Sequence, residues 1–192
     1  MKSFQYKGRY SGDESTLPHR EHPEGAVPFK EPGDMKKLSL RMNIASIGLL
    51  AVTLALLFLR GGFRSYNVFG GCAAILMLVP HEFLHAVCFP GDVYLYQNLR
   101  QGMLFVVSPD DLTKTRFIFM SLCPNIVFGF IPFLLFLIRP DFTFLGTLGA
   151  IAIPCGAGDY LNVWNALTQM PKGSLTYLSG MHSYWYLPKN AD

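Results

Sequence analysis

The sequence predicts an all-α polytopic membrane protein: four transmembrane helices with a small β-hairpin between the second and the third. Three observations predict it. Only 15% of the 192 residues are charged while 51% are hydrophobic, against about 25% charged in average soluble domains. The charge deficit is concentrated after residue 42, where apolar stretches long enough to cross a bilayer follow one another. Charged or Pro/Gly-containing connections close those stretches, at Arg60-Gly61-Gly62-Phe63-Arg64, Pro90-Gly91 and Arg139-Pro140-Asp141.

Residues 1–42 are polar and turn-rich, with Ser11-Gly12-Asp13-Glu14-Ser15, Pro18, Pro23, Pro28 and Pro32-Gly33. Such a segment buries too little apolar surface to offset its ordering entropy, so a disordered cytoplasmic tail is expected. His19 and His22 lie in it and read as a solvated pair. The first span, Asn43–Leu59, begins too far into the chain to be a cleavable signal peptide. The second runs from Tyr66 to Phe89 and contains Pro80, which has no N–H to give the Leu76 carbonyl. Tyr94-Leu95-Tyr96 and Met103-Leu104-Phe105-Val106-Val107 have strand composition, with a turn at Asn98 to Gly102. The third span, Phe117–Ile138, is interrupted by Pro124-Asn125 and Pro132. The fourth, Thr143 to about Leu167, is broken at Pro154-Cys155-Gly156-Ala157-Gly158-Asp159. Residues 43–167 thus form the membrane domain, and 168–192 a short cytoplasmic tail; His182, in that tail, is assigned no role.

The net charge of +3 forms no basic patch, and nucleic acid is not expected as a partner. Cys72, Cys88, Cys123 and Cys155 all fall in apolar segments without C-x-x-C spacing and suggest no disulfide framework. They read as small packing residues, although Cys88 and Cys155 could also face a metal.

The chemistry-bearing stretch is Pro80-His81-Glu82-Phe83-Leu84-His85-Ala86. Histidines four residues apart share a helix face one turn apart, so His81 and His85 can converge on one metal ion. Glu82 can then act as general base on a water beside that ion. Burying these groups at membrane depth is costly, about 2.5–3.5 kcal/mol for one charged residue at a helix centre, which marks them as functional candidates.

A catalytic zinc site needs three protein ligands and an open position. Asp159 is the only acidic residue inside the other spans, and with Glu82 it balances the charge of one Zn2+ ion. It could equally cap the helix that restarts after Gly158. Asn125 is a candidate oxyanion donor, and Asn162 a candidate to orient Asp159 from one turn away; both also fit interhelical hydrogen bonding. With the N-terminus inside, Lys30, Lys36, Lys37, Arg41, Arg100, Lys114, Arg116 and Lys172 are cytoplasmic and Arg60, Arg64 and Arg139 are opposite. The positive-inside bias therefore favours cytoplasmic termini. In that orientation His81, Asn125 and Asp159 all lie about 12–14 Å from their cytoplasmic helix ends.

His81-Glu82-Phe83-Leu84-His85-Ala86, then Ser121-Leu122-Cys123-Pro124 and Gly158-Asp159-Tyr160-Leu161-Asn162, resemble the zincin peptidases of the DUF3267 family. More distantly they resemble intramembrane metalloproteases of the site-2 protease type. The resemblance covers roughly residues 40–170. It implies a zinc metallopeptidase in which the two histidines and an aspartate of a later span hold the ion. Here that aspartate stands in Gly158-Asp159-Tyr160 rather than in the Leu-Asp-Gly or Asn-Pro-Asp-Gly context typical of site-2 proteases.

The expected function is therefore a membrane-embedded zinc endopeptidase acting on membrane protein or peptide substrates, in a bacterial cytoplasmic membrane. A non-catalytic zinc-binding membrane protein and a small transporter are the alternatives. Leu104 and Val106 are candidates to hold substrate by strand addition. The sequence specifies no oligomeric state. Reporter fusions after Arg64 and Arg139 should read external and one after Lys172 cytoplasmic; a cytoplasmic 139 loop would overturn the shared-depth placement.

Overall fold

The computed structural model describes residues 3–32, 35–98 and 103–189. The chain divides into two compact units. One comprises Met1–Lys30, Glu82–Met120 and Asn162–Asp192, the other Glu31–His81 and Ser121–Leu161.

The all-α expectation is corrected by the first unit. Among the described residues, seven strands form two sheets. In one, β1 (Phe4–Arg9), β3 (Val93–Asn98) and β4 (Met103–Val107) lie in the order β1-β3-β4. The other contains β2 (Val27–Pro28), β5 (Leu112–Thr113), β6 (Leu175–Ser179) and β7 (His182–Tyr186), ordered β2-β7-β6-β5. Outside the apolar helices the backbone still needs hydrogen-bond partners, and pairing across the sequence supplies them. β1 runs parallel to β3, with a register shift between Tyr6 and Gly8 where Gly8 takes φ 82°. β3 and β4 pair antiparallel from Tyr94↔Val107 to Asn98↔Met103, over the segments whose composition predicts strands. Residues 99–102, with most of the expected turn and Arg100, lie outside the described residues.

β6 and β7 join through Gly180-Met181, Gly180 standing at φ 64° where a side chain would be strained. Residues from the N-terminal 42 pack on this hairpin. Arg20 pairs with Asp111 at 3.0 Å and covers the Tyr177 ring at 4.2 Å from its centroid. Tyr186 donates to Asp111 at 3.0 Å; burial, then that bond, raise its phenol pKa. Phe29, Phe89, Val93, Leu112, Phe117 and Met170 form the main core of this unit.

The second unit is helical. It holds α1 (Met35–Gly61), α2 (Val68–Leu76), the start of α3 (Leu78–Cys88), the π-turn Ile126–Phe130, α5 (Ile131–Ile138), α6 (Thr143–Cys155), and parts of α4 (Lys114–Asn125) and α7 (Ala157–Gln169). Leu57, Phe133, Phe136, Ala150 and Ile153 make its core. Glycine sets the helix approach: a Cβ on Gly149 would stand 2.7 Å from Gly129 O and from Phe133 N. Thr53 Oγ1 donates to Ala150 O at 2.7 Å, and Asn67 N to Thr147 Oγ1 at 2.9 Å. Large apolar side chains such as Ile44, Ile47, Leu59, Phe69, Val79, Leu134 and Ile138 point outward.

Three helical stretches are long and apolar enough to cross a membrane: Lys36–Gly61, Val68–Cys88 and Lys114–Ile138. They become up to four if Thr143–Cys155 and Ala157–Gln169, bent by 54°, count as one passage. The four transmembrane helices of the sequence expectation are corrected accordingly. Proline and glycine without continuing N–H partners or side chains break them, at Gly156 after Pro154 most sharply.

Gly149→Ala should lower stability by about 1–3 kcal/mol through overpacking, seen as a lower Tm in detergent. Gly48→Ala, with nothing within 4 Å of a new Cβ, should leave Tm unchanged or raise it.

Candidate metal centre

α3 is built to present its polar residues at one defined place. Its start is separated from α2 by Met77, one turn before Pro80, and His81 N then bonds Met77 O at 2.9 Å. Its end is capped by a side chain. Arg116 Nε donates to the last carbonyl, Cys88 O, at 2.6 Å; beyond the helix, Gly91 N donates to Asp110 Oδ2 at 2.6 Å and holds the following turn.

His81 Nε2 lies 3.3 Å from Asp159 Oδ2, both side chains being 15% exposed. Asp159 is in the first turn of α7, three residues after the Gly156 bend. Its carboxylate therefore gains from the helix dipole as well, from the third helical position and not from the N-cap. His85, one turn along α3 from His81, is buried at 6% exposure, with Nδ1 3.0 Å from Met120 O. A carbonyl only accepts, so Nδ1 donates to it, and Nε2 is the ring nitrogen that can act as ligand atom when the ring is neutral. His81, His85 and Asp159 offer ligand atoms within 4.8 Å of one another, the one such group of three among the described residues.

These residues fit zinc. Ligand bonds of about 2.0–2.1 Å in a tetrahedron put neighbouring donors about 3.3 Å apart, the separation of His81 Nε2 and Asp159 Oδ2. Two imidazoles and one carboxylate are also a donor set of catalytic zinc.

Asn125 closes the α4 end, where the helix passes into the π-turn. It is 1% exposed; its Nδ2 donates to Asp159 Oδ2 at 2.7 Å and to Ser121 O at 2.9 Å. Both amide protons are thus committed, one of them to the Asp159 carboxylate. Tyr160 donates to Ile153 O at 2.9 Å and lies 3.3 Å from Asn125 Oδ1. Sequence reasoning missed Tyr160 and Gly156. A Cβ on Gly156 would stand 2.6 Å from Asn125 Cγ, so only glycine leaves room for the amide. The Pro154–Gly158 break was the signal that could have found it.

Glu82 is half-buried on α3 beside His81. Asn162 is half-buried on α7. Leu104 and Val106 lie on β4, opposite Gln97 and Leu95. Cys155 is exposed on α6, and Cys88 is half-buried at the end of α3.

A helical motif of two histidines and a glutamate, with a half-buried carboxylate against the first histidine, is a group that could hold a metal ion. The family model DUF3267, described as "Putative zincin peptidase", matches residues 74–175. The chain belongs to that family. No curated protein and no solved structure matches it.

His81→Ala and His85→Ala should each abolish stoichiometric zinc, and Asp159→Ala should weaken binding markedly, measured by metal analysis after dialysis. Full retention in Asp159→Ala would remove it from the ligand set. Asn125→Ala should weaken zinc about 10–100-fold, the usual loss when a ligand's outer partner is deleted.

Proposed function

We propose that this protein is a membrane-embedded zinc endopeptidase that cleaves peptide bonds of membrane proteins with Glu82 as general acid–base. The supporting observation is the approach of Asp159 to His81 at 3.3 Å on a helix that carries Glu82 and His85. Zinc, when held by His81, His85 and Asp159, supplies Lewis-acid polarisation and lowers the pKa of water at its open position to about 7. Glu82 takes a proton as water attacks the scissile carbonyl and returns it to the leaving amine, so one carboxylate serves both halves of the reaction. Asn125 holds the Asp159 carboxylate throughout. Membrane embedding is supported by the outward apolar side chains of the long helices, and cytoplasmic termini by the bias of basic residues.

β4 is the strand proposed to receive substrate. It is at an edge of its sheet, with β3 on one side and no strand on the other among the described residues. An unwound transmembrane segment loses its internal hydrogen bonds and must recover them; pairing with an edge strand does so and presents an extended peptide bond.

Glu82→Gln keeps the shape of the side chain but cannot accept the proton. The variant should fold, hold zinc, and lose about 10²–10⁴-fold in cleavage of a model transmembrane peptide. An active Glu82→Gln protein would rule this mechanism out. Proline at Leu104 or Val106 should impair cleavage while zinc content is unchanged.

A further inference from the structure

Ser121 is wholly buried, at 0% exposure, and among the described residues its Oγ is the one buried side-chain polar atom without a hydrogen-bond partner. Hydroxyls in that state carry a desolvation cost with no return, so the position calls for a partner that is present only when something is bound. Its place on α4 says where that partner is. Ser121 and Asn125 are four residues apart on one helix and share a face. Asn125 uses that face to reach Asp159 Oδ2 at 2.7 Å, bonding the Ser121 carbonyl with its other proton. The preceding residue, Met120, gives its carbonyl to His85. Ser121 Oγ–H is therefore a spare donor on the metal-facing side of α4, where Asn125 has none left to offer.

We propose that Ser121 is the oxyanion donor of this site: its hydroxyl hydrogen-bonds the carbonyl oxygen of a bound substrate and strengthens that bond as water adds and charge collects on the oxygen. The ligand class is a carbonyl or related oxygen acceptor bound against His81 and Asp159. This rests on the zinc peptidase reading above, and the test therefore includes a readout that does not need turnover. A donor aimed at developing charge acts on the rate more than on substrate affinity; losing one typically costs 10²–10³-fold in kcat.

The experiment compares zinc-loaded wild type and Ser121→Ala by cleavage of a transmembrane peptide, zinc content, Tm, and binding of acetohydroxamate by calorimetry. Ser121→Ala should keep full zinc and a Tm at or above wild type, because it deletes an unpaired buried hydroxyl. It should lose about 10²–10³-fold in kcat with KM within twofold, and bind acetohydroxamate at least tenfold more weakly. Wild-type kcat and hydroxamate affinity in Ser121→Ala would overturn the proposal, as would loss of zinc or a lowered Tm accompanying the defect. If wild type binds zinc and hydroxamate but cleaves nothing, the peptidase reading fails by itself. The hydroxamate comparison then decides Ser121: weaker binding in the variant upholds the donor, and equal binding removes it.

Discussion

The carboxylate of Asp159 is the group on which the site depends. It is largely buried in a stretch of apolar helix, where an isolated charge is costly, and it is held by contacts from two other helices. Asn125 gives it an amide proton at 2.7 Å, and His81 stands 3.3 Å away. A divalent cation held between carboxylate and imidazoles, as proposed, would compensate that charge. Tyr160 and Gly156 then become intelligible: one braces Asn125, and the other leaves room for its amide.

Local irregularity is what lets straight apolar helices supply such groups. Helix pairing breaks at Met77 ahead of His81, passes into a π-turn after Asn125, and bends at Gly156 ahead of Asp159. Each break falls within four residues of the side chain it serves. Regular helices in lipid satisfy their own backbone and favour close packing through small residues. A proline or glycine interruption gives up some of that regularity and places a polar side chain beside neighbouring backbone.

Much of this was legible in the sequence for physical reasons. The H-E-x-x-H spacing fixes a helix face, Pro80 removes a specific N–H, and a lone acid in apolar sequence has few reasons to be there. The common depth of His81, Asn125 and Asp159 followed from counting residues, and the three meet. The segment 94–107 showed strand composition and pairs as β3 and β4. The sheets beyond that were not read. β1 pairs with β3 across nearly ninety residues, from Phe4 to Val93, and no local pattern encodes such a contact. The β6–β7 hairpin did leave a signal, Gly180-Met181 between one run with Thr176 and Tyr177 and another with Tyr184, Trp185 and Tyr186, inside the segment expected as a short tail. For Asn125 the residue was legible, while the commitment of both its amide protons shows only in the geometry.

X-ray absorption at the zinc edge of the reconstituted protein tests the central claim most directly. Two histidines, Asp159 and water predict a four-coordinate shell of nitrogen and oxygen at about 2.0–2.2 Å, with outer scattering from two imidazoles. A sulfur neighbour at about 2.3 Å would instead bring Cys88 or Cys155 into the shell and contradict the account of Asp159.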